Sequence, residues 1–390
     1  MNVKKLCQEQ EPYIIEMRRW FHRHPEVSFQ EEKTSAKIQE ELKNMGISYE
    51  LLPPNHGVIA TIKGELGEGK TLVLRADMDA LPVCEDTGLE FASENEGVMH
   101  ACGHDAHVAM LLGAAKVLNE QKGNFYGTVK LLFQVAEEIG GGYEEVMDYL
   151  DANGGADGFA GLHIWSAIPE GEILLLPQAI FAGGGGFTVT IHGQGGHGAR
   201  PDLVKDPIKA ACDLVLKLAS IPSNFYDVLD HSVVTTCMVE AGTLGNIFPS
   251  EARITGTMRW FKMGGSKYII EKIEQIAAGV GQIYGVDCEV SCKRGIEPII
   301  NNPEMIETAK KLVEYVDGLA VSEQTDPISA SDNYGHFLAK YPGFYGVLGG
   351  GKRGEEIYPQ HHRKFDIDEK SLRKGAEFMT RYALEFLGGK

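Results

Sequence analysis

The sequence contains few cysteines and no long apolar segment. Seven cysteines are scattered over 390 residues and no CxxC pair occurs, so neither a disulfide framework nor a thiol zinc finger is indicated. No apolar run approaches the ~18 residues of a membrane-spanning helix, and the N-terminus lacks the apolar core of a signal peptide. We therefore expect a soluble protein of a reducing compartment, the cytoplasm.

Positive charge is also scarce. Lys and Arg together number 37 against 55 Asp and Glu, which gives a net charge of −18. A chain this negative repels phosphate backbones and anionic lipids, so we expect no nucleic-acid partner and no membrane partner. The hydrophobic fraction of 43% and the charged fraction of 24% are typical of a folded globular protein.

Strand-like and helical segments alternate in the first part of the chain. The nearly continuous apolar run KTLVLRADMDAL over 70–81 is typical of a strand buried on both faces. A second such run is TVKLLFQVAEE over 128–138, and a strongly apolar helix over 107–121 lies between them. This alternation predicts an α/β domain with a mostly parallel sheet flanked by helices.

The pattern changes after residue 180. Period-two alternation appears over 187–195, and the element order from 184 to 295 is β-α-β-β-α-β, the ferredoxin-like α+β unit. Because the first pattern then resumes, we predict a discontinuous catalytic domain at 1–182 and 297–390 that carries an inserted lid domain at 184–295. The glycine run within 183–186 is predicted to be a hinge, since glycine accepts changes in φ and ψ at little cost.

Metal-ligand side chains are concentrated in the stretch MHACGHDAHVAM over 99–110. Cys102 and His104 lie one residue apart just before the apolar helix, so both can face one ion. Thiolate and imidazole both suit zinc-like divalent metals. A buried cysteine beside surface histidines is the alternative, because short tracts of this kind also arise by composition alone.

Glu137 and Glu138 follow a buried strand, at the end where α/β folds place ligands. Adjacent carboxylates repel each other unless a cation lies between them or one is protonated. Neighbouring side chains on extended backbone point in different directions. One glutamate can therefore bind metal while the other faces a water. Metal-assisted hydrolysis uses this pair of roles, a metal ligand and a general base. The alternative is a solvated start to the following loop.

Two further histidine positions lie at the end of an apolar strand and near the C-terminus. His163 ends GFAGLHIW, and His361 and His362 are adjacent in YPQHHRKF. Taken alone, they are typical of a core histidine and of exposed loop histidines. Every one of these polar clusters, however, follows a predicted buried strand or lies in its loop, so they can converge at one edge of the sheet.

Ordered motifs run almost from end to end of the chain: RRWFHRHPEVSFQE (18–31), RADMDALPV (75–83), HACGHDAHVAMLLGAA (100–115), FQVAEE (133–138), GLHIW (161–165), HGQGGHGARP (192–201) and GTLGNIFPSEARITGTMRW (242–260). With these motifs the sequence resembles the aminoacylase/carboxypeptidase-type binuclear metallohydrolases. The specific likeness is to the amidohydrolase branch that holds hippurate hydrolase and the indole-acetyl-amino acid hydrolases. The nested lid domain matches that branch as well.

The resemblance implies a site for two divalent ions per subunit, which could be Zn, Mn, Co or Ni. Glu137 would be the general base, and Asp77 and Asp79 would orient the ligands. The thiolate of the cysteine would bridge the two ions. The implied metal ligands are Cys102, His104, Glu138, His163 and His361.

The resemblance also assigns roles in the lid. His197 would reach the active site of the partner subunit and stabilise the oxyanion, which implies a homodimer through the lid domain. Asn246 and Arg259 would bind the carboxylate or carbonyl oxygen of the substrate. Two departures leave the ligands intact but bear on substrate choice: Asn333 lies where the family has an acidic residue, and Arg363 replaces a usual proline.

Together these residues imply a metal-dependent amidohydrolase. It would cleave the amide bond of N-acyl amino acids, N-acetyl or N-aroyl, or of a similar small amide, by metal-activated water with a glutamate base. A metallo-dipeptidase or carboxypeptidase that uses the same site is the alternative. A non-catalytic metal-binding scaffold would have lost the base or some ligands, and this sequence keeps all of them.

Overall fold

A computed structural model of the chain describes residues 3–54, 56–227 and 229–389. Its helices in chain order are α1 (Val3–Arg23), α2 (Glu32–Asn44), α3 (His104–Glu120), α4 (Tyr143–Ala152), α5 (Pro207–Leu218), α6 (Ile221–Asn224), α7 (Gly265–Tyr284), α8 (Pro303–Val313), α9 (Gly335–Leu338) and α10 (Lys370–Phe386).

The strands in chain order are β1 (Ser48–Leu52), β2 (Gly57–Lys63), β3 (Thr71–Asp77), β4 (Thr128–Gln134), β5 (Gly158–Pro169), β6 (Glu172–Leu174), β7 (Ala179–Phe181), β8 (Gly183–His192), β9 (Gly196–His197), β10 (Ser232–Ala241), β11 (Ile247–Phe248), β12 (Glu251–Trp260), β13 (Asp287–Ile296), β14 (Ile299–Ile300), β15 (Ala320–Val321) and β16 (Gly343–Gly351). Among the described helices, none is both long and apolar enough to cross a bilayer.

The chain divides into two compact units. Unit 1 comprises Met1–Ile180, Ile300–Asp326 and His336–Lys390, and unit 2 comprises Phe181–Ile299 and Pro327–Gly335. The division differs from the predicted boundaries mainly at residues 327–335, which the sequence analysis places in the catalytic domain. They belong to unit 2 because the backbone N–H of Ala182 donates to the carbonyl oxygens of Ile328 and Ala330.

Unit 1 is built on an eight-stranded sheet in the order β1-β2-β4-β3-β5-β16-β6-β15. The central strands β4, β3, β5 and β16 run parallel to one another, whereas β1 and β2 extend one edge antiparallel. Strand β16 is buried along its whole length. Parallel strands covered on both faces account for the continuous apolar runs in the sequence.

Helix α3 packs in the core of unit 1 against α1, α10 and β3. Its residues are apolar almost all round, and nearly every one from His104 to Leu118 is buried. A helix of this kind cannot turn a polar face to solvent and is stable only when it is covered. Its first residue, His104, is therefore held inside the unit and not on a flexible surface.

Unit 2 contains a four-stranded antiparallel sheet in the order β10-β12-β8-β13, with α5 and α7 packed against it. Helix α5 begins where the side chain of Asp206 accepts hydrogen bonds from the N–H groups of Ile208 and Lys209, and Pro207 takes the first helical position. The element order β8-α5-β10-β12-α7-β13 is that of the ferredoxin-like unit. The predicted fold class, a mostly parallel α/β sheet with an inserted ferredoxin-like unit, is confirmed.

The glycine run from Gly183 to Gly186 lies inside strand β8 and pairs with Trp260 to Thr257 of β12. A Cβ atom on Gly183 would lie 2.3 Å from Nε1 of Trp260, and one on Gly184 would lie 2.3 Å from Oγ of Ser331. Close packing therefore explains these glycines within unit 2. Hinge motion of the run stays a prediction.

Candidate metal centre

Neighbouring strands of unit 1 bring the predicted ligands together. Strand β3 ends at Asp77, which pairs with Gln134 at the end of β4, three residues before Glu137. His163 lies on β5, the other neighbour of β3. The carboxyl ends of parallel strands are the usual ligand site of α/β sheets, and α3 contributes His104 as its first residue.

The five predicted ligands form two overlapping groups. The ligand atoms of Cys102, His104 and His163 lie within 4.8 Å of one another, and so do those of Cys102, Glu138 and His361. Within these groups, Sγ of Cys102 lies 3.6 Å from Nε2 of His163. The thiol of Cys102 is common to both groups, as a bridging ligand would be.

His361, and not its neighbour His362, faces the cluster. Its Nε2 lies 3.4 Å from Oε2 of Glu138, and its backbone N–H donates to the carbonyl of Ala101. The ring of His362 instead stacks on Tyr358, with centroids 4.8 Å apart. The structure thus places His361, the histidine that the resemblance selects, at the cluster of predicted ligands.

Hydrogen bonds orient each inner histidine so that its Nε2 is turned toward the cluster. Nδ1 of His104 lies 2.9 Å from the carbonyl oxygen of Asp79, which can only accept, so Nδ1 carries the proton. Nε2 of His104 is buried and has no hydrogen-bond partner among the described residues. Nδ1 of His163 likewise donates to the carbonyl of Ile164 at 2.7 Å, and its Nε2 faces Cys102. Metal binds the neutral form of an imidazole, through the nitrogen that does not carry the proton.

Burial disfavours the anionic forms of the thiol and the carboxylate. It raises the pKa of Glu138 to about 7, a shift that the charge of His104 opposes and that of Asp79 increases. Burial also raises the pKa of the Cys102 thiol well above its usual value. Oε1 of Glu138 is buried without a hydrogen-bond partner among the described residues, 3.8 Å from Nε2 of His104. A cation would stabilise both anions, so this mixed S, N and O donor set fits a divalent metal ion.

Asp77 and Asp79 are both buried and contact the ligand-bearing elements. Oδ2 of Asp79 accepts a hydrogen bond from the backbone N–H of Glu138 at 3.0 Å, while Oδ1 lies 3.2 Å from Nδ1 of His104. Asp77 accepts from Nη1 of Arg75 at 2.6 Å. These contacts support the predicted orienting role of the two aspartates.

His107 has no predicted role, although it lies in the middle of this network. Its Nδ1 lies 2.5 Å from Oδ1 of Asp77, and its Nε2 accepts from the backbone N–H of Ile164 at 2.8 Å. With both nitrogens engaged, His107 ties β3 to β5 beside His163. Its spacing of three residues from His104, on the same face of a helix, is the signal that points to it.

Glu137 and Glu138 stand on a 3₁₀ turn, Glu137–Ile139, and not on extended backbone. The prediction that they diverge as neighbours on a strand is therefore wrong in its geometry, because β4 ends at Gln134. Both carboxylates still lie within 4.8 Å of the ligand nitrogen of His104. Glu137 is 8% exposed, so its carboxylate is largely shielded from bulk water.

The remaining predicted site residues lie in unit 2. His197 is exposed on β9 and pairs with Ile247 of β11, while the N–H of Gly198 donates to the carbonyl of Asn246. The structure thus brings His197 and Asn246 together. Arg259 is half-buried on β12 and donates through Nη1 to Oγ1 of Thr257 at 2.6 Å.

The chain matches the sequence profile of the peptidase family M20/M25/M40 over residues 73–385. That span covers most of the chain and contains every predicted ligand. The chain belongs to this family. Relatives of the chain are named as a carboxypeptidase, a deacetylase and an amidohydrolase, which are all hydrolases of amide bonds, so the predicted resemblance and the predicted enzyme class, a hydrolase of linear amide bonds, are confirmed.

Relatives within the M20/M25/M40 family carry different names. The chain is 36% identical to thermostable carboxypeptidase 2 of Saccharolobus solfataricus over 98% of both chains. It is 34% identical to an N-acetylcysteine deacetylase of Bacillus subtilis over 95% of this chain and 96% of that one. The structure of the YXEP protein of Bacillus subtilis, described as a dinuclear metal binding peptidase, superposes with a TM-score of 0.85 at 30% identity over 98% of this chain and 100% of that one.

Proposed function

We propose that the protein is a metal-dependent amidohydrolase that cleaves N-acyl amino acids to a carboxylic acid and an amino acid. The observation that carries the proposal is the buried cluster in which Nε2 of His104 and Oε1 of Glu138, neither with a hydrogen-bond partner among the described residues, lie beside Glu137. The relative named for deacetylation of N-acetylcysteine supports an acyl amino acid as substrate.

In this proposal two divalent ions are held by Cys102, His104, Glu138, His163 and His361. When bound, such ions lower the pKa of a coordinated water and polarise the amide carbonyl. Their identity, zinc, manganese, cobalt or nickel, depends on availability as much as on the donor set.

Glu137 is the proposed general base. Its carboxylate accepts the proton of the attacking water and then gives it to the nitrogen of the leaving amino acid. Because Glu137 is buried beside Glu138, its proton exchanges with the reacting groups more readily than with bulk water. With metal bound, His104 and His163 would be neutral ligands through Nε2, and their Nδ1–H groups would keep donating to backbone carbonyl oxygens.

Residues of unit 2 complete the proposal. His197 is exposed, and we propose that it stabilises the oxyanion in the site of a partner subunit, which requires a homodimer through the lid domain. Asn246 and Arg259 would bind the carboxylate or carbonyl oxygen of the substrate. Burial lowers the pKa of Arg259, and a guanidinium that is partly removed from water is suited to a paired anion. A cytoplasmic location stays a prediction of the sequence.

A substrate comparison tests the proposal. The metal-free protein is loaded separately with Zn²⁺, Mn²⁺, Co²⁺ or Ni²⁺ and offered N-acetyl amino acids, N-benzoyl amino acids and unblocked dipeptides, with the free amino acid measured. We expect kcat/KM for the acyl amino acids to exceed that for dipeptides by at least about tenfold, and the metal-free protein to release nothing.

Two results would contradict this expectation in different ways. A preference for dipeptides favours the second candidate, a peptidase that uses the same site, which the 36% identity to a protein named as a carboxypeptidase supports. No turnover with any metal or substrate favours a non-catalytic scaffold.

A further inference from the structure

The turn that carries Glu137 and Glu138 begins at a residue in an unusual conformation. Ala136 has φ +58° and ψ +32°, in the left-handed region. This region is unfavourable for any residue with a Cβ atom. Such a conformation persists only where the surrounding structure holds it. The direction of both carboxylates depends on this one residue, because the 3₁₀ turn follows it immediately.

Glu31 holds the backbone of Ala136 from a distant part of the chain. The N–H of Ala136 donates to Oε1 of Glu31 at 2.8 Å, and both residues are 0% exposed. The carbonyl of Ala136 accepts from the N–H of Gly141 at 2.8 Å. Both backbone polar groups of Ala136 are thus satisfied, one of them by a side chain just before α2.

Two neighbours of Glu31 support the same turn, Phe29 by packing beside it and Ser28 through Asp79. A Cβ atom on Gly141 would lie 2.6 Å from Cζ of Phe29, so the ring of Phe29 lies directly against the turn. Oγ of Ser28 donates to Oδ2 of Asp79 at 2.7 Å, and the same oxygen accepts from the N–H of Glu138. The short segment 28–31 therefore supports the turn at both its start and its middle.

We propose that Glu31 is a positioning residue that holds Ala136 in the left-handed conformation and thereby directs Glu137 and Glu138 into the metal centre. This inference rests on the proposed roles of the two glutamates. Without the carboxyl of Glu31, the buried N–H of Ala136 has no acceptor in its present place, and the peptide rotates to find one. Rotation at Ala136 moves both carboxylates away from His104.

The test compares Glu31→Gln with Glu31→Met. Glutamine keeps an acceptor oxygen for Ala136, whereas methionine has a similar length and no acceptor. Zn²⁺ dissociation constants are measured by competition with a chromophoric chelator, together with kcat and the Tm of the metal-free protein. We expect Glu31→Gln to bind Zn²⁺ within about threefold of the unsubstituted protein and Glu31→Met to bind it about 10- to 100-fold more weakly.

Glu26→Met is the matched control at the start of the same helix. The carboxylate of Glu26 accepts from the N–H groups of Lys33 and Thr34; the structure shows no such bond to the turn at 136–139 within the described residues. We expect this variant to lower Tm and leave Zn²⁺ affinity unchanged. Equal losses of affinity in Glu26→Met and Glu31→Met, or unchanged affinity in Glu31→Met, would overturn the proposal.

A second substitution separates positioning from general damage. Glycine adopts φ +58° without the Cβ penalty. Adding Ala136→Gly to Glu31→Met should therefore raise the Zn²⁺ affinity at least about threefold above that of Glu31→Met alone. Absence of recovery would overturn the inference, because Glu31 would then act otherwise than through Ala136. The double variant also supplies folded protein should Glu31→Met alone not fold.

The failure of this inference is distinguishable from failure of the proposed function. If the unsubstituted protein hydrolyses no acyl amino acid, the proposed function fails, while the Zn²⁺ dissociation constants of the Glu31 variants still decide whether Glu31 positions the turn. If turnover is normal and Glu31→Met binds Zn²⁺ normally, only the positioning role fails.

Discussion

Two ion pairs, one in each unit, differ sharply in burial. In unit 1, Arg18 is 1% exposed and donates through Nε to Oδ2 of Asp105 at 2.9 Å. In unit 2, the pair of Arg200 and Asp202 is 58% and 61% exposed. A buried pair fixes the position of both partners, because an unpaired charge in the interior costs much free energy. An exposed pair contributes little to stability and leaves its side chains free to move.

The buried pair of unit 1 adjoins the candidate metal centre, because Asp105 is the residue after His104. Asp105 follows His104 on α3, and its Oδ2 contacts both Arg18 and Nδ1 of His22 on α1. Although burial opposes ionisation, the charge of Arg18 holds the pKa of Asp105 far below its usual value. Buried pairs of this kind hold the predicted ligands of unit 1 in place, whereas the exposed His197 of unit 2 is held by the short pairing of β9 with β11 and by a hydrogen bond from the N–H of Ala199 to its Nδ1.

The largest expected effect is on the base. Glu137→Gln should lower kcat by about 10²- to 10⁴-fold, because the amide cannot accept the proton of the attacking water. Metal content, measured by elemental analysis, should stay unchanged, since Glu137 is not among the proposed ligands. Glu138→Gln, its neighbour on the same turn, should instead lose metal. Near-normal turnover in Glu137→Gln would refute the assignment.

The second prediction tests the contrast between buried and exposed ion pairs. Arg18→Leu should lower the free energy of unfolding by about 3–5 kcal/mol, because it leaves Asp105 buried without its main cation. Arg200→Leu should change it by less than about 1 kcal/mol. Urea denaturation of the metal-free protein measures both. Equal effects of the two substitutions would remove the contrast between the units.

The smallest expected effect concerns packing within unit 2. A Cβ atom on Gly256 of β12 would lie 2.3 Å from Cζ of Phe187 and 2.3 Å from the carbonyl oxygen of Thr235. Gly256→Ala should therefore destabilise the protein by about 1–3 kcal/mol. On α7, nothing lies within 4 Å of a Cβ atom built on Gly279.

Gly279→Ala is the control for that packing prediction. It should stabilise the protein by about 0.5–1 kcal/mol, because alanine is the better helix former. Thermal unfolding monitored by circular dichroism compares the two. A stabilising Gly256→Ala would show that β8 and β12 can separate at small cost, and unit 2 would then be looser than its packing indicates.

Periodicity predicts most of the fold, and the family resemblance that the short motifs carry implies the proposed ligands. Continuous apolar runs mark β3 and β4 because both are buried on two faces, and Cys102 and His104 stand out because two soft ligands so close together are unusual. These signals are local. Each can be read from a few neighbouring residues without knowledge of the rest of the chain.

The parts that the sequence does not predict depend on contacts between distant segments. Glu31 bonds to Ala136, which lies 105 residues later, and no pattern around either residue shows it. The left-handed backbone of Ala136 is equally hidden, since alanine carries no signal for that conformation. His107 lacks a predicted role because its partners, Asp77 and Ile164, lie on two strands that only the folded sheet brings beside it.

Residues 327–335 belong to unit 2, and this limits how chimeras of the protein can be built. The chain passes between the units four times, after residues 180, 299, 326 and 335. A graft that exchanges only the ferredoxin-like segment would leave behind the strip whose carbonyls at Ile328 and Ala330 receive the N–H of Ala182. Unit 2 therefore cannot be exchanged as one continuous segment. Any chimera must carry both of its pieces together.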